Sequence, residues 1–482
     1  MFASRKENWS RTPVLSITTI LVVICVLAGF LRAVLIARLH VPLDPNEGWN
    51  AYNALAASTT GNPYPPVGSF MFNNYPPLSF YLIGAFGTLL GDNVVAGRLV
   101  SLAAFVTVCA CIAAALRQMR ADWSVGIFAA ALLASTLLLT SDYVGMNDPQ
   151  LLGHALQLVG LLCALHQPRA TLSLVVSALF FVVGGFVKHN LIVLPAATAI
   201  WLVMVGDRDI RFRQAAIFVW ASLIFFSLGL FAGWTFIGVD LLRVLNSSRL
   251  TSFAQLGENL RVWLPVAAVP LAGFALLPFL CRRDEAVWFV CLYAALSIVW
   301  GIVISLGAGV DVNVMFDADI ALALCVGMIV WRTCNYGSPV FFAAAQAYAL
   351  LCIVPLTLIA LRSSDWRISS FWLHPMRGEA DLARNDIAFL RARSGPVMCE
   401  DLTFCYWAGK AASVDVFNLN QRFETGAQDP APFLRLIRSH YFSSVELDET
   451  NPFPFPKIVE TAFFENYRID HQNDEGIFFI RR

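Results

Sequence analysis

Five polar clusters interrupt a mostly apolar sequence, and each could do chemistry. The first follows an apolar run at the N-terminus and reads Asp44-Pro45-Asn46-Glu47-Gly48-Trp49-Asn50. Either carboxylate, held at a membrane surface, is placed to take a proton as a general base. The same spacing also marks a helix start, with Asp44 as N-cap, Pro45 in the first turn and Glu47 completing a capping box. Trp49, Tyr52 and Ala56 then recur at helical spacing and are expected to rest on the membrane interface. The second cluster, Asn73-Asn74-Tyr75-Pro76-Pro77, is stiffened by two prolines, which would hold Asn74 and Tyr75 rigidly toward a head group. Asp142 and Asp148 form the third, and Asp148 before Pro149 also reads as a helix cap. In the fourth, Lys188-His189-Asn190 breaks an apolar stretch. Ionisable groups at a membrane boundary are candidates for function, and a lysine there suits a phosphate; snorkelling is the alternative. The fifth places Asp311, Asn313, Asp317 and Asp319 within nine residues, as in a lined cavity, with helix capping as the competing account for Asp317 or Asp319.

The elements that position these clusters are transmembrane helices. Hydrophobic residues make up 58% of the 482 and charged residues 14%, with a mean hydropathy of +0.65. Apolar segments of bilayer-spanning length recur through residue 361. They predict about eleven spans, near 14–38, 94–116, 124–141, 149–166, 171–187, 189–206, 214–237, 263–281, 286–308, 319–332 and 340–361. The run 14–38 is too long for a signal peptide core and lacks a small-residue cleavage site, so it reads as a retained span. Residues 77–90 are apolar but short, and read as half-inserted, interfacial or paired with a neighbour. Arg117, Arg120, Arg169, Arg208, Arg211, Arg213, Arg282, Arg283 and Arg332 fall at alternate connections, on the side of Arg5, Lys6 and Arg11. The positive-inside rule then predicts a cytoplasmic N-terminus, with the first outer loop (39–76), all five clusters and the C-terminus outside.

A membrane domain over 1–361 and a soluble extracytoplasmic domain over 362–482 are expected. Residues 378–394 and a segment from Asp429-Pro430 to His440 read as helices. Residues 396–399, 413–416, 444–447 and 476–480 read as strands of a small α/β domain. Glu400, Asp401 and Asp415 are expected to be turn and cap residues. Cys399 and Cys405 lie in this polar tail as a disulfide or as two thiols, whereas the other nine cysteines fall in or beside apolar runs. With 33 basic and 33 acidic residues there is no charge bias toward nucleic acid. No His/Cys spacing suits a metal, and neither a P-loop nor a GxSxG motif occurs, which argues against an ATP-driven transporter and a serine hydrolase. A secondary transporter of about twelve spans is the main rival. Against it, the hydrophobic pattern shows no internal repeat and the polar residues gather at one face rather than at mid-bilayer.

The order of motifs resembles the GT-C superfamily of membrane glycosyltransferases. An acidic pair in a long first outer loop is followed by Tyr75-Pro76-Pro77-Leu78 and Gly97-Arg98. Then come Asp148 at a span start, Lys188 after Gly184-Gly185, and Asn313 after Gly307 or Gly309. Bacterial members of glycosyltransferase family 39, relatives of protein O-mannosyltransferase and aminoarabinose transferase, are most similar, over roughly residues 14–361. The resemblance implies transfer of one sugar from a polyprenyl-phosphate donor to a lipid, glycan or protein acceptor at the outer face of a bacterial inner membrane. It implies Asp44, or else Glu47, as the base, and Lys188, His189 and Tyr75 at the donor phosphate. Asp148, Asn74, Asn313 and Asp317 would position substrate. Some superfamily members use a divalent metal at their acidic motifs, and an inactive relative serving as a scaffold is a further alternative.

Overall fold

The computed structural model describes residues 13–66, 68–167, 170–204, 208–238, 250–280, 284–336, 338–362, 374–448 and 453–482. Arg5, Lys6, Arg11, Arg169, Arg282 and Arg283, on which part of the orientation argument rests, lie outside them.

Thirteen helices build the membrane part among the described residues: α1 (Pro13–Ile36), α2 (Asn46–Thr59), α3 (Leu78–Leu90), α4 (Asn93–Gln118), α5 (Trp123–Thr140), α6 (Gln150–His166), α7 (Thr171–Val187), α8 (Val193–Met204), α9 (Arg208–Ile237), α10 (Phe253–Leu280), α11 (Glu285–Ile304), α12 (Phe316–Cys334) and α13 (Pro339–Arg362). Eight are long and apolar enough to cross a bilayer, namely α1, α4, α5 and α9–α13. Where spans are expected at 149–166, 171–187 and 189–206, the apolar helices α6, α7 and α8 form, each shorter than these eight. Nearly all of α12 is buried, and it packs against α5, α10, α11 and α13 as the hub of the bundle. At the periphery, α1 and α9 expose Ile20, Leu27, Leu223 and Phe231. Such a surface is at home against lipid chains, where every helical backbone group is already bonded.

Helix α3 has 13 residues and, at about 1.5 Å per residue, rises only about 20 Å, too little to cross. It packs on α2 and α4, and with α2 forms a helical pair at one end of the bundle. Trp49 and Tyr52 of α2 do not rest on the membrane interface as expected. They are buried, because the C-terminal part of the chain covers them.

That part is a four-stranded sheet with its helices. Strands β1 (Val397–Cys399), β2 (Ser444–Leu447), β3 (Tyr467–Asn473) and β4 (Gly476–Arg481) are arranged in the order β1-β2-β4-β3. Only the β1–β2 pairing is parallel, with Val397 opposite Ser444. A parallel pair needs a long crossover, here supplied by α15 (Leu402–Trp407), α16 (Val416–Glu424) and α17 (Ala431–Arg438). Two further helices, α14 (His374–Ala392) and α18 (Lys457–Asn466), complete the domain. Residues 413–416 are not the expected strand. Val414 makes one isolated bridge to Phe70, and Asp415 caps α16 by accepting from Asn418 N at 3.1 Å. Strand β3 was missed because Tyr467–Asn473 is polar along most of its length. Cys399 and Cys405 are bridged, tying the end of β1 to α15.

The sheet domain sits on α2. A Cβ at Gly48 would overlap the backbone of Leu402 and Thr403, so only glycine permits this approach. Around it, Trp407 Nε1 donates to Asp92 Oδ2 at 2.9 Å, Tyr52 Oη donates to the Lys410 carbonyl at 2.6 Å, and Asp415 N donates to the Phe70 carbonyl at 2.8 Å. Gly48→Ala is therefore expected to push the two parts apart at a cost of roughly 1–3 kcal/mol, typical of overpacking. The checks are a lower thermal midpoint in detergent and faster proteolysis of the sheet domain.

Candidate active site

The acidic loop is shaped by one ion pair. Arg98, in the first turns of α4, and Glu47, in the first turn of α2, are both fully buried. The guanidinium meets the carboxylate in a fork: Nε to Oε1 at 2.7 Å and Nη2 to Oε2 at 2.5 Å. Its remaining hydrogens go to the carbonyls of Leu39 (2.8 Å) and Val41 (2.6 Å). Glu47 also accepts from the backbone N–H groups of Leu43 at 3.1 Å and Asn147 at 2.9 Å. The expected capping box is thus only half made. Asp44 Oδ1 takes Asn46 N at 2.8 Å, but Glu47 reaches Leu43 and Arg98 instead of the Asp44 N–H. Gly97 lets Asn147 come this close, since a Cβ there would overlap the Asn147 side chain.

With Glu47 committed, Asp44 is the member of the pair that reaches open space. It lines a cavity of about 790 Å³ between the end of the helix bundle and the sheet domain. Among the expected residues, Asn74, Tyr75, Lys188, His189 and Asn313 line the same cavity, and Glu47, Asp148 and Asp317 do not. Burial pushes the Asp44 carboxyl up to about 7, against the hydrogen bonds from Asn46, with Asp401 and Asp148 adding to the rise.

Lys188 caps α7 and is almost wholly buried. Its Nζ lies 3.2 Å from Asp148 Oδ1 and 4.9 Å from the centre of the Tyr75 ring. Burial disfavours its charge, but Asp148 and Tyr75 outweigh that and hold its pKa above the usual value. Asp148 has two tasks, since the same Oδ1 accepts Gln150 N at 2.7 Å and so caps α6. Tyr75 is fixed in turn: Asn73 Oδ1 accepts its N–H at 2.9 Å, and its ring stands edge-on to Trp49 at 5.1 Å.

The cluster at 311–319 divides. Asp311 and Asn313 line the cavity, while Asp317 and Asp319 turn into the bundle, where Tyr293 Oη (2.7 Å) and Trp263 Nε1 (2.8 Å) donate to them. Asp311 and Asn313 belong to the turn that ends at Met315, and Asp317 and Asp319 to the first turn of α12. Sequence reasoning missed the sheet domain's share of the wall: Glu400, Leu402, Asp415, Phe417 and Asp448. Glu400 and Asp415 were read as turn and cap residues, and nothing local in the sequence distinguishes a cap that also faces a cavity. Among the described residues, no group of three or more His, Cys, Asp or Glu side chains is placed to hold a metal ion.

The helix bundle with a polar cavity at one end, roofed by a small sheet domain, shares its fold with solved membrane proteins. The structure matches ArnT from Cupriavidus metallidurans bound to undecaprenyl phosphate, with a TM-score of 0.58 and 14% identity, over 95% of this chain and 97% of that one. It also matches the archaeal oligosaccharyltransferase AglB from Archaeoglobus fulgidus in complex with an inhibitory peptide and a dolichol-phosphate. There the TM-score is 0.56 and the identity 11%, over 92% of this chain and 70% of that one. Residues 74–234 match the model of the dolichyl-phosphate-mannose-protein mannosyltransferase family. No curated protein sequence matches the chain significantly.

Removing one partner of a buried pair strands the other charge, which costs about 3–5 kcal/mol. Glu47→Ala and Arg98→Ala are each expected to destabilise by that order. The double variant should lose far less than the sum, as read from thermal or denaturant unfolding in detergent.

Proposed function

We propose that this protein is a glycosyltransferase that moves one sugar from a polyprenyl-phosphate donor to a lipid, glycan or protein acceptor. The observation that carries this reading is the pairing, on one cavity, of the Asp44 carboxylate with Lys188, a buried lysine held 3.2 Å from Asp148. Asp44 takes the proton from the acceptor as that atom attacks the anomeric carbon of the sugar. The bond from that carbon to the phosphate oxygen breaks, and its electron pair leaves with the lipid phosphate. Lys188 stabilises the charge that grows there, with His189 and Tyr75 beside it; fixed charge at a developing anion is a large catalytic effect. Asn74 and Asn313 orient the sugar or the acceptor. Asp148 acts through Lys188, and Glu47 through the loop that presents Asp44.

In this reading residues 1–361 are the catalytic membrane domain, and 362–482 an extracytoplasmic domain that roofs the site. The reaction takes place at the outer face of a bacterial inner membrane, with the N-terminus in the cytoplasm. Arg120 and Arg332 support that orientation, because both line a second cavity at the opposite end of the bundle, together with Trp201 and Asp284.

A transfer assay on purified protein, with polyprenyl-phosphate sugars and a membrane extract as acceptor source, tests the reading. Asp44→Asn should lower turnover by roughly 10²–10⁴-fold, the usual contribution of a general base, with normal membrane insertion. A base works only when deprotonated, and Asp44 is raised to about 7. The kcat/KM of the wild type should therefore climb as pH rises through about 7 and level off above it. Unchanged turnover in Asp44→Asn would remove Asp44 from this role. Lys188→Ala should weaken donor binding, and an unaltered donor affinity would dismiss its contact with phosphate.

A further inference from the structure

Beneath the cavity, a line of buried polar side chains runs into the bundle, and only its first member, Asn313, has a part in the steps above. Asn313, on the cavity wall, donates through Nδ2 to Gln150 Oε1 at 3.4 Å. Gln150 Nε2 meets His154 Nε2 at 2.7 Å. The other ring nitrogen, Nδ1, lies 3.8 Å from Asp317 Oδ1, which accepts from Tyr293 Oη at 2.7 Å. All five residues are less than a tenth exposed.

Each link in this line sets the direction of the next. At 3.8 Å the Asp317 carboxylate is too far to bond the ring, but its negative charge favours the proton of a neutral His154 on Nδ1, the nitrogen that faces it. That leaves Nε2 as an acceptor, and Gln150 must turn its Nε2–H toward it. The Gln150 carbonyl then faces Asn313 and takes an N–H from Nδ2. With one Nδ2 hydrogen engaged below, Oδ1 is the acceptor that the Asn313 amide keeps for the cavity.

We propose that His154 is a positioning residue which, through Gln150, makes Asn313 present an acceptor to the cavity and so select the sugar end of the donor. A sugar hydroxyl donates to such an oxygen, whereas a phosphate diester has only acceptors to offer and is disfavoured there. Lys188 has the opposite preference. The two residues would thus fix which end of a sugar phosphate lies where. The inference rests on reading the cavity as a sugar-phosphate site.

The test measures binding to the full chain in detergent with two probes. One is undecaprenyl phosphate without a sugar. The other is whichever of the mannose-, glucose- or galactose-linked undecaprenyl phosphates the wild type binds most tightly. His154→Phe, which fills the space without hydrogen bonds, should weaken the sugar-linked probe about tenfold and leave the bare phosphate unchanged. Asn313→Ala should do the same, and the double variant should be no worse than Asn313→Ala alone. Gln150→Leu breaks the same line and replaces His154→Phe if that variant does not fold. Equal weakening of both probes, or additive losses in the double variant, would overturn the proposal while leaving the site reading intact. Failure of the wild type to bind either probe would overturn both.

Discussion

The ion pair of Arg98 and Glu47 is the constraint on which the site depends. Taking two charges out of water costs several kcal/mol for each ion, and only close geometry with full hydrogen bonding offsets it. Here the fork between them, two carbonyls after α1 and two backbone N–H groups satisfy both ions. These bonds join the end of α1, the start of α2, the first turns of α4 and the approach to α6 at a single point. The turn bearing Asp44 lies three residues from Glu47, and Gly48 lies next to it. The proposed base and the seat of the sheet domain are therefore placed by the same interaction.

From that point the cavity is built by two partners that differ in kind. The membrane helices contribute Asp44, Lys188 and Asn313, and the sheet domain contributes Glu400, Asp415 and Phe417. The Phe417 ring rests where a Cβ at Gly309 would be, so the far wall is closed by the same device as the near one at Gly48. The disulfide from Cys399 to Cys405 encloses the segment that holds Glu400 and Leu402. Burial there also lifts the neighbouring Asp401 carboxyl to about 6, while its side chain caps α15 through Thr403 N.

Much of this was legible in the sequence, for physical reasons. A bilayer-spanning helix has to be apolar over its length, so hydropathy placed α1, α4, α5 and α9–α13 within a few residues at most boundaries, missing α10's start by about ten. Polar residues are excluded from that setting unless needed, which is why Asp44, Asn74, Tyr75, Lys188, His189 and Asn313 could be named, and all six line one cavity. What could not be read were pairings across distance. Glu47 looked like a base because its partner Arg98 lies 51 residues on. Asp317 and Asn313 looked equivalent because nothing in their spacing tells which way the turn at 312–315 directs each side chain. Placement suggests that the sheet domain covers the site, but the residues it lends to the wall cannot be named from sequence, because contact between domains leaves no local periodicity.

The shortness of α8 bears on the bilayer itself. Its 12 residues rise about 18 Å, well under the roughly 30 Å of a hydrocarbon core. Trp201, near its C-terminal end, already lines the cavity at the opposite face, so the shortfall lies at the Lys188 end. The chain from Lys188 to Ile192, which is not helical, occupies that end. Such hydrophobic mismatch is relieved by thinning the bilayer or admitting water locally. If the proposed donor binds here, its head group would sink toward the protein instead of being lifted out of its leaflet.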